Sequence, residues 1–270
     1  MRAQEVAGEL RRLGVRASRG LGQHFLIDER VARRQVERAG LRGDEVVLEV
    51  GPGLGILTRL LAERAGRVLA IEKDRRLADG LSALGGRVEV VRGDALRIDW
   101  PPFDVMVSNL PYRISSPVTF KLLAQPFDRA VLMFQREFAQ RMVAKPRTRE
   151  YSRLTVNVAH RAACEFLERV PRSAFHPQPR VDSAVVRLVR REAPYQLDDE
   201  GMFHATVDAC FLHRRKTIGN ALDLEWGKFT ADRAAWRASV AGLPFRDRRA
   251  GDLAPQEYAA LANILARAKG

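Results

Sequence analysis

Short apolar runs that alternate with segments of helical spacing constrain the fold of this chain most strongly. Each run has the length of a strand and is mainly apolar, which is typical of strands buried on both faces of a parallel sheet. The predicted strands are 45–50, 67–72, 87–91, 103–109 and 129–134. Between them, "ILTRLLAERA", "SPVTFKLLAQ" and "EFAQRMVA" place apolar residues at i, i+3 and i+4 and predict helices. The alternation predicts an α/β fold with a mostly parallel sheet.

The remainder of the chain predicts a sheet edge and a second domain. "CEFLERV" and "SAVVRLVRR" flank a Pro-rich connection, and we expect them to pair antiparallel at the sheet edge. From about Tyr195 the pattern becomes helical and charged, with a boundary at Pro194–Tyr195. A length of 270 residues suits one main domain with a small appendage. We therefore predict a main domain over 1–190 and a helical domain over 195–270.

Composition indicates where the protein is located and whether it binds a metal. The chain has no apolar stretch approaching membrane-spanning length and no signal-peptide core at its start, so we expect a soluble, cytoplasmic protein. Cys164 and Cys210 are the only cysteines, too few for a disulfide framework or a thiolate metal site. His160 and Cys164 have the i, i+4 spacing of one helix face, for which we favour a buried thiol beside a surface histidine over a metal site. No metal is expected.

Charge points to an anionic partner. The net charge is +13, and 40 of the 46 basic residues are arginine. Such an excess attracts polyanions, and arginine suits bidentate phosphate contacts, so nucleic acid is the first candidate partner. Basic clusters occur in "RRLGVRASRG", in "AKPRTR" (144–149) and in "HRRK" (213–216). A solvated, salt-bridged surface is the alternative for each cluster.

Three successive strand ends carry residues suited to a nucleotide. "LEVGPGLGILT" places Gly51 and Gly53 between the first strand and its helix, where the backbone turns tightly and approaches a ligand closely. A dinucleotide fingerprint would need glycine where Ile56 stands. Glu72 ends the second strand and can accept both hydroxyls of a ribose, or it is a surface acid. Asp94 follows the third strand and can accept from an adenine amine, or it caps the next segment.

The fourth strand ends in "SNLPYRISSP", which combines an amide, a proline and an aromatic ring. The spacing of Asn109, Pro111 and Tyr112 suits a planar amine held by acceptors while a ring stacks on its plane. A Pro-containing turn between strand and helix is the alternative. A ligand with adenine, ribose and a reactive group would lie across the first three strand ends and point at the fourth, which is the layout of S-adenosylmethionine.

Six motifs in order resemble the KsgA family of ribosomal RNA adenine dimethyltransferases. They are "GLGQHFL" (20–26), "LEVGPGLGILT" (48–58), "IEKD" (71–74), "GDAL" (93–96), "NLPYRISSP" (109–117) and "FHPQPRVDSAVV" (175–186). The resemblance covers residues 18–190, and "FQREFAQRMVAKP" is closer to the archaeal and eukaryotic branch. His24 departs from the asparagine of many bacterial members.

The resemblance implies a Rossmann-like, S-adenosylmethionine-dependent methyltransferase sheet in a catalytic domain (1–190) and a small C-terminal helical, RNA-binding domain (195–270). It further implies dimethylation of the N6 amines of two adjacent adenosines near the 3' end of small-subunit rRNA, in an immature subunit. We expect a monomer.

Residue roles also follow from the resemblance. It implies that the glycine loop lies against the methionine part of the cofactor, that Glu72 binds the ribose, and that Asp94 binds the adenine amine. It implies that His24 and Leu26 bring an N-terminal segment (1–27) over the cofactor.

The implied chemistry needs a better nucleophile, because the lone pair of adenine's amine is delocalised into the ring. If the Asn109 side-chain oxygen and the Leu110 carbonyl accept the two amine hydrogens, the nitrogen becomes pyramidal and its lone pair points at the methyl group. Pro111 stiffens the turn, and Tyr112 and Phe175 sandwich the base. An ordinary core aromatic is the alternative for Phe175.

We expect the helical domain to contact phosphates through Arg214, Arg215 and Lys216 at a helix junction. A cluster that caps the end of a helix is the alternative.

Three other classes of protein stay open at this point. They are a nicotinamide-dependent dehydrogenase, a DNA adenine methyltransferase, and a ribosome-assembly factor that binds RNA without needing catalysis.

Overall fold

The computed structural model describes residues 3–15 and 24–269. The strands are β1 (Phe25–Leu26), β2 (Val46–Val50), β3 (Arg67–Glu72), β4 (Val88–Arg92), β5 (Val105–Asn109), β6 (Arg129–Gln135), β7 (Ala162–Val170), β8 (Phe175–His176) and β9 (Ser183–Arg190). The α-helices are α1 (Ala3–Arg12), α2 (Glu29–Ala39), α3 (Ile56–Ala62), α4 (Arg75–Ser82), α5 (Ser115–Leu123), α6 (Arg136–Met142), α7 (Arg153–Arg161), α8 (Glu200–Leu212), α9 (Ile218–Leu224), α10 (Arg233–Ala241) and α11 (Pro255–Lys269). Within these described residues, no helix is both long and apolar enough to cross a membrane.

Seven of the strands form one sheet in the order β4-β3-β2-β5-β6-β9-β7. The five strands from β4 to β6 run parallel, and β9 pairs antiparallel with β6. The α/β prediction with a mostly parallel sheet is therefore confirmed, as is the position of the last two strands at one edge. Each of the five predicted strands is present within two residues of its expected bounds. The apolar runs located β2, β3, β5 and β6 well because most residues of these strands are buried, whereas the edge strand β4 has no fully buried residue.

One local prediction was wrong. Helix α7 ends at Arg161 and Cys164 lies in β7, so His160 and Cys164 do not share a helix face. The i, i+4 spacing suggested a helix, but the backbone at Ala162 is extended where β7 begins at the sheet edge beside β9. Burial is also opposite to the expectation, since His160 is buried and Cys164 is only half-buried.

The chain divides into two compact units, and it enters the second unit twice. The first unit comprises Met1–Ala139 and Cys164–Arg190, and the second comprises Gln140–Ala163 and Arg191–Gly270. The segment 140–163 belongs to the second unit because Tyr151 and Val156 pack in its core with residues of α8 and α11. The chain enters the second unit at Gln140 and again at Arg191, so the first unit is not one continuous range, and the assignment of functional domains stays a prediction.

A buried ion pair fixes the start of β6, at the amino-terminal ends of the strands and thus at the opposite end from the glycine loop. The guanidinium of Arg129 donates to both carboxylate oxygens of Glu45 at 2.8 and 3.0 Å. It also donates to the carbonyls of Ala39 and Gly40 at the end of α2, at 2.6 and 2.8 Å. The Glu45 side chain is 2% exposed. Hydrogen bonding to Arg129 keeps the pKa of Glu45 below its usual range. The pair thus connects α2, the start of β2 and β6.

We predict that Arg129→Met lowers the free energy of unfolding by about 3 kcal/mol, because it removes the buried, two-pronged partner of the Glu45 carboxylate. Among the described residues, Glu45 then keeps only Arg42, whose amide and exposed guanidinium lie 2.8 and 3.0 Å from its oxygens. Urea denaturation at neutral pH measures the change. Arg33→Ala is the matched control, since Arg33 pairs with Glu29 on the surface and should have little effect. Equal stability of the two variants would contradict the assigned role of Arg129.

Candidate active site

The candidate site lies at the carboxyl ends of β2 and β5, where the order of the sheet reverses. Backbone pairing between these strands covers Val47↔Val105 and Leu48↔Met106. Beyond these pairs, the Val50 amide donates to the Ser108 hydroxyl at 2.9 Å, so a side chain accepts the hydrogen bond that a backbone carbonyl of β5 would otherwise accept. The loops that follow β2 and β5 therefore start side by side.

Two glycines make this close approach possible. Gly51 and Gly53 have φ of 73° and 59°, in the left-handed region that L side chains avoid. A Cβ on Gly51 would lie 3.1 Å from the Pro111 ring, and one on Gly53 would lie 3.1 Å from the Phe25 ring. Glycine is thus required at both positions for the loop to fit between Pro111 and Phe25.

One cavity in the first unit brings together almost all of the predicted site residues. They are His24, Leu26, Gly51, Gly53, Glu72, Asn109, Leu110, Pro111, Tyr112 and Phe175. Asp94 does not line this cavity. Its carboxylate accepts from Lys73 Nζ at 2.9 Å and from the Leu96 amide at 3.0 Å, and the bond from Lys73 lowers its pKa. Residues 16–23, which include part of the predicted covering segment and of the first basic cluster, lie outside the described residues.

Glu72 holds the glycine loop in place. Its carboxylate accepts from the Gly53 amide at 3.2 Å and from the Asp74 amide at 2.8 Å. The side chain is buried, and burial raises the pKa of Glu72 above its usual range while these amides oppose the rise. A carboxylate at this place both shapes the loop and keeps acceptor capacity for a ligand.

Asn109 offers a buried acceptor without a partner. Its side-chain oxygen is inaccessible to solvent and has no hydrogen-bond donor within the described residues. Burying an acceptor in this state costs about 1–3 kcal/mol, which a ligand that donates to it would offset. The Asn109 oxygen therefore marks the wall of the cavity at which a donor group is expected.

The aromatic residues around Asn109 are fixed by polar contacts. The Tyr112 hydroxyl lies 2.7 Å from the Ser183 hydroxyl. The His24 ring lies 5.5 Å from the Tyr112 ring, and its Nδ1 donates to the Pro177 carbonyl at 2.7 Å. Phe175 pairs with Leu26 through β8 and β1 and belongs to the core of the first unit, while it also lines the cavity. Phe175 thus packs in the core as the alternative interpretation expected, and because it also lines the cavity, its stacking on a base stays a prediction.

Glu49 is a site residue that the sequence interpretation missed. It sits in β2, is 2% exposed, lines the cavity and leaves its Oε2 without a partner among the described residues. Burial raises the pKa of Glu49 to about 8. A carboxyl at this pKa is mostly protonated at neutral pH and can ionise when a cation binds beside it. The signal in the sequence was an acid inside the apolar run "EVVLEV".

We predict that Glu49→Gln makes stability less dependent on pH. The folded pKa of about 8 exceeds the ordinary value of 4.5, so the native state keeps its proton and loses stability as pH rises through this window. The loss reaches up to about 1.4 kcal/mol per pH unit. Urea denaturation of both proteins from pH 5 to pH 9 measures it. A constant difference between the two curves would contradict protonation of Glu49.

The second unit brings two of the sequence-distant basic clusters together. Arg214, Arg215 and Lys216 are exposed in the turn between α8 and α9, as the predicted helix junction required. Arg214 Nη2 donates to the Arg149 carbonyl at 3.1 Å, which joins this turn to the "AKPRTR" cluster. The fold therefore concentrates positive charge on one part of the second unit.

His160, Glu200 and His204 form the one group with metal-ligand spacing among the described residues. Their ligand atoms lie within 4.8 Å of one another. Glu200 is, however, already paired with Arg161. His160 Nε2 lies 3.2 Å from Glu200, and its Nδ1 lies 3.1 Å from the Tyr195 hydroxyl. The cluster is thus satisfied by its own hydrogen bonds, and the expectation of no metal stays a prediction.

The fold and the cavity together define a class of protein. Three features meet where the strand order of the parallel sheet reverses. They are a glycine loop with left-handed backbone, an acid suited to ribose hydroxyls at the end of β3, and a buried acceptor at the end of β5. This donor set fits S-adenosylmethionine, because Glu49 and the free Asn109 oxygen present negative charge or acceptors to a cationic ligand. The protein is an S-adenosylmethionine-dependent methyltransferase by these features.

Comparison with known proteins identifies the family. The model of the ribosomal RNA adenine dimethylase family matches residues 14–244, so the chain belongs to that family. The chain is 45% identical over 249 residues to the probable ribosomal RNA small subunit methyltransferase A of Thermococcus onnurineus, which covers 90% of each chain. It is 44% identical to the protein of the same name from Methanopyrus kandleri over the full length of both. The resemblance stated from the sequence motifs is confirmed.

Two crystal structures resemble the fold over most of the chain. A dimethyladenosine transferase from Plasmodium falciparum matches with a TM-score of 0.76 and 30% identity, over 88% of this chain and 96% of that one. The 23S rRNA methyltransferase ErmE matches with a TM-score of 0.66 and 34% identity, over 90% of this chain and 99% of that one. The Rossmann-like methyltransferase fold predicted from the sequence is thereby confirmed, and the dehydrogenase alternative is excluded.

Proposed function

We propose that this protein transfers methyl groups from S-adenosylmethionine to the N6 amines of two adjacent adenosines near the 3' end of small-subunit rRNA. The observation that carries the proposal is the buried Asn109 oxygen without a donor, which lies at the end of β5 beside the glycine loop. An exocyclic amine supplies the missing donor. The substrate is the rRNA of an immature small subunit, and the protein acts in the cytoplasm as a monomer without a metal ion.

The cofactor is held by groups that the fold has already oriented. When bound, S-adenosylmethionine supplies an electrophilic methyl group on a sulfonium ion. Gly51 and Gly53 allow the backbone to approach its methionine part, and Glu72 accepts from the ribose hydroxyls. Asp94 lies outside the cavity lining, but the amide of the preceding Gly93 donates to the Glu72 carbonyl at 3.0 Å, so we assign Asp94 to the adenine amine next to the ribose. Each Asp94 oxygen keeps a lone pair beyond the bonds from Lys73 and Leu96. His24 and Leu26 close the cavity from the amino-terminal side.

The remaining residues act on the target base. The Asn109 oxygen and the Leu110 carbonyl accept the two amine hydrogens, which turns the nitrogen lone pair toward the methyl group. Pro111 restricts the turn, and Tyr112 and Phe175 stack on the base. No general base is required before transfer, because the amine attacks as a neutral nucleophile. The target adenosine must be single-stranded or flipped out of a helix to reach this cavity.

The second unit supplies RNA affinity. We assign the catalytic domain to 1–190 and the RNA-binding domain to 195–270, with the segment 140–163 packed in the same unit as the latter. Arg214, Arg215 and Lys216 contact phosphates and add affinity with little sequence discrimination. Their exposure and their contact with the 144–149 cluster support this assignment.

Large-subunit rRNA is the competing substrate, because the similar ErmE structure is that of a 23S rRNA methyltransferase. We predict that incubation with S-adenosylmethionine dimethylates two adjacent adenosines in small-subunit rRNA and leaves large-subunit rRNA and duplex DNA unchanged. Mass mapping of nuclease fragments from the three acceptors measures this. Dimethylation of large-subunit rRNA alone would overturn the proposed substrate, and methylation of duplex DNA alone would indicate a DNA adenine methyltransferase.

A second prediction separates base stacking from turn structure. Tyr112→Phe keeps the ring but removes the hydroxyl that contacts Ser183, and it should retain much of the methylation rate. Tyr112→Ala should lose about ten-fold or more, because stacking contributes about 1–3 kcal/mol per base. Asn109→Ala removes an amine acceptor and should depress turnover most. Equal rates for the two Tyr112 variants in folded protein would show that Tyr112 only shapes the turn.

Thermal melts of each variant serve as the control for folding. Binding of Asn109→Ala to immature small subunits tests the assembly-factor alternative, because a binding role without catalysis would survive this change.

A further inference from the structure

A second concavity in the first unit, which we call the arginine groove, is lined by four arginines. Arg136, Arg169, Arg172 and Arg180 contribute to it together with the acids Glu137 and Asp182. Arg169, Arg172 and Arg180 are exposed, and Arg136 is half-buried. The groove therefore carries a surplus of positive charge at the solvent boundary, where an anion can enter.

Asp182 organises the groove. Its carboxylate accepts from the Arg169 guanidinium at 2.5 and 3.0 Å and from the Arg172 amide at 2.9 Å. Its carbonyl accepts from the Arg136 amide at 2.9 Å. One residue thus fixes the backbone at two of the arginines and neutralises a third. This acid belongs to the motif "FHPQPRVDSAVV", of which the proposed chemistry uses only Phe175.

Three arginines keep their charge available. The side chains of Arg136, Arg172 and Arg180 make no hydrogen bond or close ion pair with the residues that the structure describes, although the charge of Arg136 also acts on Asp182. A guanidinium presents its donors in a planar fork that matches a phosphate group bidentately. Three such forks around one concavity are suited to a phosphate.

Residues of the arginine groove are chain neighbours of residues that line or contact the cavity proposed to receive the base, although the two concavities share no lining residue. Ser183 follows Asp182 directly, and its hydroxyl contacts the Tyr112 hydroxyl at 2.7 Å. In the β6/β9 ladder, Ser183 pairs with Gln135, the residue before Arg136. On the other side, the turn Arg172–Ala174 leads directly into Phe175. The two aromatic residues proposed to stack on the base are thus each joined to the groove by a few bonds.

We propose that the arginine groove binds a backbone phosphate of the RNA strand immediately next to the target adenosine. The inference rests on the proposed function, because it needs an RNA strand whose base occupies the Tyr112 cavity. A phosphate held here fixes the register of the strand without reading its sequence, while the adjacent base turns into the cavity. Arg136, Arg172 and Arg180 are positioning residues for the substrate in this arrangement.

The test is a double variant, Arg172→Ala with Arg180→Ala, assayed on small-subunit rRNA. We expect KM for RNA to rise at least about ten-fold, because bonds to a charged group contribute about 1.5–3 kcal/mol. The slope of log affinity against log salt should fall in magnitude by about 0.7 for each phosphate of a single strand that the variant no longer neutralises. The affinity for S-adenosylmethionine, measured by calorimetry, should stay unchanged. Replacement by lysine at both positions should restore part of the salt slope, because the charge is kept. It should lower KM less completely, because lysine lacks the planar guanidinium that binds a phosphate through two hydrogen bonds.

Arg38→Ala is the matched control. Arg38 is exposed on α2, whose end contacts Arg129 at the start of β6, whereas the arginine groove lies at the end of β6. The control should leave KM and the salt slope close to those of the unaltered protein.

The outcomes separate the two proposals. If the unaltered protein methylates small-subunit rRNA and the double alanine variant has the same KM and salt slope, the arginine groove is not a phosphate site. If the variant loses S-adenosylmethionine affinity or thermal stability together with RNA affinity, its arginines support the fold and the inference is overturned. If the unaltered protein methylates none of the RNA acceptors, the proposed function itself fails.

Discussion

The close approach of two loops at the end of β2 and β5 is the constraint on which the site depends. Gly51 can lie against Pro111 only because it lacks a Cβ and occupies the left-handed region. The Val50 amide finds its acceptor in the Ser108 side chain, so the strands diverge without leaving a buried donor unpaired. The cavity forms at this divergence, and the sheet order places the cofactor loop and the base-binding turn on its two sides.

Burial of polar groups follows from the same geometry. Glu49 and Asn109 lie at the carboxyl ends of neighbouring strands and keep oxygens without partners among the described residues. Such groups destabilise the empty protein, yet they define where a cationic group and an amine are bound. At the amino-terminal ends of the strands, the buried charges of Arg129 and Glu45 are paired with each other, so that removal of one partner would destabilise the fold. The paired charges therefore lie at the amino-terminal ends of the strands, and the unpaired polar groups proposed to bind ligands lie at the carboxyl ends.

Positive charge is distributed in two structural settings. In the second unit, Arg214 and its neighbours are joined to the 144–149 cluster and form an exposed basic surface. In the first unit, the arginine groove is built around Asp182, whose chain neighbour Ser183 contacts Tyr112 of the proposed base site. The first setting supplies affinity that any RNA would share, whereas the second acts at the nucleotide next to the target. In our proposal, the arginines of the second unit contribute general RNA affinity, and those of the arginine groove position the strand next to the target.

The sequence by itself determined the five parallel strands, the glycine loop and the Asn109–Tyr112 turn, because apolar runs and strand-end residues depend on local pattern alone. Its six ordered motifs also determined the family. Only the tertiary structure decided that Glu49 is a site residue, that Asp94 lies off the cavity, and that 140–163 packs in the second unit. Burial, ion pairing and packing between distant segments decide these features, and none leaves a periodic signal in the chain. The arginine groove has the same origin, since Arg136 and Arg172 come together only when β9 pairs with β6.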